Sequence, residues 1–347
     1  MTRTFAQDND FYHSLPKVDL HRHLEGSLRL GTLTELARSM GMAVTGTGPL
    51  RALVQIREEE PYTFENFLSK FDTLRLFYRS PEIISRVTRE AIIDAAKDNV
   101  RYLELRFTPV ALSKAEGFPL SEVIDWVIEG REQALKEADI QVSLIASVNR
   151  HESPQLAEQV IGLAVERRSQ GIVGIDLAGN EARFSALPFA PIFQQARKEG
   201  LHITVHAGEW AGSPNVAEAI EKLGAERIGH GIRVLEDPSV VHLAHERGTV
   251  FEVCITSNHQ SGVVPTLSKH PLPRLLSANL KATLNTDDPS IEQTTLSNEY
   301  KLASEDLGLS VNILYDLILA GVSAAFLPDL TKNRLAQALQ EELAPRP

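Results

Sequence analysis

The sequence predicts an α/β protein, a (β/α)8 TIM barrel with extra helices inserted after the first strand. Three observations predict it. Eight short apolar, β-branched segments fall at residues 18–24, 100–107, 141–148, 173–177, 202–206, 227–230, 250–254 and 282–285, and their length and composition are those of strands. After the first gap they recur at roughly 20 to 40 residues with helix-patterned stretches between them, the cadence of βα units. The chain has 347 residues and is 43% hydrophobic, enough for one such barrel. No internal repeat, low-complexity tract or Pro/Ser-rich linker divides it, so residues 1–347 read as one barrel domain.

The first strand lies in Leu15-Pro-Lys-Val-Asp-Leu-His-Arg-His-Leu-Glu-Gly26. It sets His21 and His23 two residues apart, on one face of a strand, which is half of a metal site. Residues 27–99 form the long first gap and must hold the extra helices. Within them Thr63-Phe-Glu-Asn-Phe-Leu-Ser-Lys-Phe71 puts Phe64, Phe67, Leu68 and Phe71 on one helical face. Core packing is one reading of that face, and an apolar lid over a pocket is the other, since insertions in barrels build the mouth of the site. On the second strand Glu104 and Arg106 share a face, and a structural ion pair inside the barrel is expected. The fifth strand ends in Thr204-Val-His-Ala-Gly-Glu209, the sixth in Ile228-Gly-His-Gly231 and the eighth in Leu284-Asn-Thr-Asp-Asp-Pro289. From Leu296 onward the chain reads as closing helices, one of them started or broken by Pro328.

Composition excludes several functions. A formal net charge of −11 opposes nucleic-acid binding. The single cysteine, Cys254, rules out a disulfide framework and a Cys-rich zinc site. Residues 1–14 carry no apolar signal-peptide core, and no stretch approaches the ~18 apolar residues of a membrane span. A cytoplasmic protein with no membrane or nucleic-acid partner is expected, with homo-oligomerisation left open.

In a barrel of this kind the site lies at the C-terminal ends of the strands. The polar clusters closing the first, fifth, sixth and eighth strands would therefore meet at one mouth. Each alone is a weak signal: His230 could be a hydrogen-bonded core histidine, and Asp287-Asp288-Pro289 could be a turn. Together they supply three imidazoles and a carboxylate, His21, His23, His206 and Asp287, a set that suits one zinc ion per chain. Zinc lowers the pKa of water from about 15.7 to about 7. Glu209, just past His206 and a glycine, can stand beside the metal as a general acid/base, and His230 can hydrogen-bond the attacking oxygen.

These motifs resemble the adenosine deaminase family of metal-dependent amidohydrolases. The matching stretches are residues 16–26, Asp176-Leu-Ala-Gly-Asn-Glu181, Thr204-Val-His-Ala-Gly-Glu209, Gly229-His-Gly231, Phe251-Glu-Val-Cys254 and Leu284-Asn-Thr-Asp-Asp-Pro289, in the family's order. The resemblance implies that His21, His23, His206 and Asp287 bind zinc and that Glu209, His230 and Asp287 are catalytic. Glu209 would protonate purine N1 while His230 stabilises the hydroxide adding at C6. His23, Glu25, Gly179 and Asp288 would contact substrate, Asp288 at N7 and the Gly179 amide at N3. Phe64, Phe67 and Leu68 would form the lid. The implied reaction converts adenosine or deoxyadenosine to inosine or deoxyinosine and ammonia.

Two positions depart from the pattern. Glu25 stands where the adenosine enzymes usually have an Asp for the ribose 5′-hydroxyl, and a Glu there is familiar from adenine deaminases. Ile255 stands where bacterial relatives often have Pro. The alternatives are therefore an adenine deaminase or an aminodeoxyfutalosine deaminase of menaquinone biosynthesis. A binuclear amide or ester hydrolase would need a bridging Lys that Asp176-Leu-Ala-Gly179 lacks, and an inactive purine-binding protein is opposed by the complete set of chemical groups. A nucleotide substrate is disfavoured because the motifs hold no phosphate-binding cation except Arg22, which strand alternation turns away from the two histidines.

Overall fold

The computed structural model describes residues 9–42 and 46–344. Residues 1–8, part of the segment read above as lacking a signal-peptide core, lie outside them. Eight parallel strands form one sheet in sequence order: β1 (Lys17–His23), β2 (Val100–Phe107), β3 (Gln141–Asn149), β4 (Ile172–Ala178), β5 (His202–Ala207), β6 (Arg227–His230), β7 (Val250–Val253) and β8 (Lys281–Leu284). Each boundary expected from sequence agrees to within a residue. The strands were legible because both of their faces are buried, which makes each a short, largely apolar segment.

Helices cover the outside. In the first gap, helices Leu30–Ser39, Thr47–Val54 and Phe64–Leu74 precede Pro81–Lys97, the helix that leads into β2. Thr63 caps the third of these by accepting from the Asn66 amide at 3.3 Å, and Ser80 caps the fourth with Pro81 in its first turn. Pro328 immediately precedes the closing helix Asp329–Leu343. Among the described residues, no helix is long and apolar enough to cross a membrane.

Glu104 and Arg106 are both inside the barrel and fully buried, but they do not pair with each other. Glu104 meets Arg227 of β6, and Arg106 meets Glu252 of β7 and Asp176 of β4. Residues two apart on a strand point in parallel, so each finds its counter-charge on other strands facing the barrel interior rather than beside itself.

The seam between β8 and β1 positions the site. It has no regular ladder. Its main-chain link is a bridge between Arg22 and Asp287, with the Asp287 amide donating to the His21 carbonyl and the His23 amide to the Asp287 carbonyl, both at 2.8 Å. Side chains complete it: Asn285 Oδ1 accepts from the Leu20 amide at 2.9 Å, and Thr286 Oγ1 donates to Asp19 Oδ2 at 2.7 Å. Asp287 has φ +64, in the left-handed region that a non-glycine residue occupies only when its surroundings hold it there.

Lys17 anchors the start of β1, its buried ammonium donating to the carbonyls of Tyr12, His13 and Leu15. Burial lowers its pKa from 10.5 to about 8. Between those values the unfolded chain holds a proton that the folded chain has shed, so this group makes stability rise with pH across that window. The Tm of the parent relative to Lys17→Met is therefore expected to increase from about pH 8 to about pH 10, and a constant difference would refute the assignment.

Candidate active site

The C-terminal ends of the strands open into a cavity of about 540 Å³. His23 and Glu25 enter it after β1, Gly179 after β4, His206 and Glu209 from β5, His230 from β6, and Asp287 and Asp288 after β8. The helix Phe64–Leu74 closes one side with Phe64, Phe67 and Leu68. His21 lies beneath, fully buried. The structure thus brings together every site residue expected from sequence. Gly26 is dictated by close approach, since a Cβ there would stand 1.8 Å from Asp288 Oδ1.

The donor atoms test whether a metal fits. Asp287 Oδ1 is 3.2 Å from His21 Nε2 and 3.3 Å from His23 Nε2, and His23 Nε2 is 3.3 Å from His206 Nε2. Zinc with bonds of about 2.0–2.1 Å and a position left for water separates neighbouring protein ligands by about 3 to 3.5 Å. His21 Nε2 is moreover buried with no hydrogen-bond partner, as a nitrogen reserved for a metal would be. The residues present fit the ion. Among the described residues the donors of His21, His206, His230 and Asp287 form one close group, and those of His23, Asp176 and His206 another; His230 Nε2 stands 3.6 Å from Asp287 Oδ2 and 3.7 Å from Glu209 Oε2.

The outward nitrogens are held by carboxylates. His21 Nδ1 meets Glu252 Oε2 at 2.7 Å and His206 Nδ1 meets Asp176 Oδ1 at 2.9 Å, the arrangement that fixes tautomer and ring orientation in metal-ligating histidines. His230 is set by a different relay. The Leu272 amide donates to His270 Nδ1, so His270 carries its proton on Nε2 and donates it to Asn258 Oδ1. Asn258 Nδ2 then donates to His230 Nδ1 at 3.1 Å, which leaves the His230 proton on Nε2, facing Glu209. His230 is thereby a hydrogen-bond donor toward the cavity, and burial keeps its pKa well below the ordinary value.

The acids are differentiated in the same way. Burial, with Asp287 adding to it, holds the Glu209 carboxyl well above its ordinary range. Burial and then the negative Asp287 and Glu25 do the same to Asp288, leaving it able to donate a proton to an acceptor nitrogen. Glu25 accepts from the Thr108 amide at 2.7 Å through Oε1, while Oε2 is buried and unpartnered.

Sequence reasoning missed several residues. Asp176 and Glu252 stood in quoted motifs, and their position on the inward face was the available signal. Asn258 and His270 gave none, because the short helix Ile255–Gln260 after β7 and the segment beyond it deliver them. Trp210, whose ring stands at 65° to that of Phe64 across the mouth, was passed over beside Glu209. Arg75 and Arg183 also line the cavity, cations that the motifs themselves do not supply. Neither lies in a motif, and only folding brings them in. Arg22 does stay out of the cavity wall, 3.7 Å from Asp19. Ile255 has a local account: its amide donates to Glu299 Oε2 at 2.8 Å, a bond that proline could not make.

An eight-stranded parallel barrel with imidazoles and carboxylates converging at its C-terminal mouth is the framework of a metal-dependent hydrolase. Residues 16–342 match the family model described as adenosine deaminase. The chain belongs to the adenosine deaminase family, and it is a hydrolytic deaminase acting on C–N bonds. It is 36% identical over 326 residues to an adenosine deaminase of Klebsiella pneumoniae, covering 93% of this chain and 97% of that protein. Its fold is similar to that of the Arabidopsis N6-mAMP deaminase, with TM-score 0.87 and 31% identity over 96% of this chain and 99% of that one. It is also similar to an amidohydrolase of Burkholderia ambifaria solved with bound Zn, with TM-score 0.88 and 27% identity over 98% and 95% of the two chains.

Asp176→Asn keeps the shape of the His206 support and removes its charge. Metal affinity measured by chelator competition is expected to fall about 10- to 100-fold, and parental affinity would show that the carboxylate does not orient the ligand.

Proposed function

We propose that the protein deaminates a 6-aminopurine nucleoside, adenosine or 2′-deoxyadenosine, to the 6-oxopurine and ammonia, with one zinc ion held by His21, His23, His206 and Asp287. The observation that carries this reading is the placement of Glu209, a buried carboxyl held well above its ordinary range, within 3.7 Å of His230 Nε2 and beside the ligand cluster. A zinc ion bound by these four residues would supply an acidified water, with its pKa lowered to about 7. Glu209 gives its proton to purine N1 as oxygen adds at C6, so that charge does not build up on the ring; the proton of the added oxygen then passes to the amino group, the C6–N bond breaks, and ammonia leaves as the C6=O bond forms. His230 Nε2–H donates to the incoming oxygen. Asp288 donates to N7 and the Gly179 amide to N3, which orients the base. Phe64, Phe67 and Leu68 exclude water from the face of the ring. The free oxygen of Glu25 takes the ribose 5′-hydroxyl.

A second reading, an adenylate or N6-substituted adenylate, is supported by Arg75 and Arg183 in the cavity wall and by the likeness to an N6-mAMP deaminase. Release of ammonia or methylamine from adenosine, 2′-deoxyadenosine, adenine, aminodeoxyfutalosine, AMP and N6-methyl-AMP decides among the substrates. The nucleosides are expected to give the highest kcat/KM, and a higher value for any other compound would reassign the substrate. Glu209→Gln should retain zinc and lose about 100- to 10,000-fold in kcat, and parental turnover would remove Glu209 from its role. Glu25→Asp is expected to change the adenosine-to-adenine ratio of kcat/KM about tenfold, and an unchanged ratio would show that this carboxylate does not read the 5′ end.

A further inference from the structure

The loop that carries Glu209 is held by a side chain to which the reaction above gives no role. The Glu181 carboxylate is buried, 5% exposed, and it collects the backbone amides of four consecutive residues. Oε2 accepts from Gly208 at 2.9 Å. Oε1 accepts from Glu209 at 2.7 Å, from Trp210 at 2.7 Å and from Ala211 at 3.1 Å. Asn215 Nδ2 adds bonds to Oε2 and to the Glu181 carbonyl, both at 3.2 Å. Gly208, at φ +69, makes the turn that points these amides one way. Successive amides arranged so form a concavity for an anion. Here the anion is part of the chain, and it comes from the neighbouring loop.

We infer that Glu181 is the positioning residue for Glu209, its carboxylate in the amide cradle of residues 208–211 setting where the proton donor stands. The Glu209 amide is itself one of the donors, so the backbone from which the catalytic carboxyl springs is fixed by Glu181. Asn180 and Glu181 directly follow Gly179. The one tie therefore holds together the amide assigned to purine N3 and the acid assigned to N1, two nitrogens of the same six-membered ring. A flexible loop would leave that spacing to chance, and displacement of a reacting group by about 1 Å costs about 100-fold in rate. A carboxylate suits the task because a neutral amide side chain would turn an N–H against at least one of these donors.

The inference rests on Glu209 being the acid, so Glu209→Gln is measured beside it, with zinc-loaded full-length protein and adenosine. Glu181→Gln is expected to lower kcat about 100-fold while KM stays within about threefold and zinc per chain is unchanged, the signature of an interaction made only in the transition state. Glu181→Asp, which keeps the charge, should recover part of the loss. Parental kcat in Glu181→Gln, or a loss accounted for by KM or zinc content, overturns the inference. If Glu209→Gln also turns over normally, the proposed reaction falls instead. Should the Glu181 variants not fold, Asn215→Ala loosens the carboxylate without removing it. It should lower kcat several-fold at unchanged KM, and unchanged kcat overturns the inference.

Discussion

Everything at the mouth of the barrel stands on an ion network in its interior. Glu252 of β7 accepts Arg227 Nε at 2.6 Å on one oxygen, and Arg106 Nη2 at 2.8 Å and His21 Nδ1 at 2.7 Å on the other. Arg106 reaches on to Asp176, which holds His206, and Arg227 reaches on to Glu104. All five charged side chains are essentially excluded from solvent. Removing one partner from such a network costs roughly 3–5 kcal/mol because a buried charge is left alone. The two arginines thus let carboxylates remain ionised in the core, and Arg106 draws Glu252 well below its ordinary range against the penalty of burial. Those carboxylates in turn give two of the proposed ligand histidines a fixed tautomer and direction.

The closing seam has a related logic. A barrel must join its last strand to its first, and here the join is made by the residues that would hold the metal. His21, His23 and Asp287 exchange main-chain hydrogen bonds across it, so ring closure and ligand placement are one geometric event. The left-handed backbone of Asp287 is held by both at once. Rigidity of this origin suits chemistry that needs several groups within a fraction of an ångström, whereas Glu25, Gly179, Glu209, Asp288 and the helix Phe64–Leu74 stand outside the strands.

The eight strands were readable because burial on both faces leaves most of them as short, largely apolar segments. The candidate ligand and acid/base residues stood out because they sit at strand ends, where a polar cluster follows a strand. The pairing of Glu104 and Arg106 was misread because a strand shows which residues share a face and nothing about what lies across the barrel. Asn258, His270, Arg75 and Arg183 were unreadable for a different reason: their positions depend on how loops and inserted helices fold back, and no periodicity encodes that. Glu181 stood in a quoted motif, yet its five donors come from the loop and the helix that follow β5 and gather only once β4 and β5 pair.

The sequence by itself determined the class of fold, the order of its strands, the candidate ligand set and the family, since each depends on residue type and short spacing along the chain. Tertiary structure alone decided the electrostatic state of the site. Whether Glu209 and Asp288 keep a proton, which nitrogen of His230 carries one, and which cations face the cavity depend on burial and on neighbours distant in sequence. The energy of a charge is set by what surrounds it in three dimensions and not by its place in the chain.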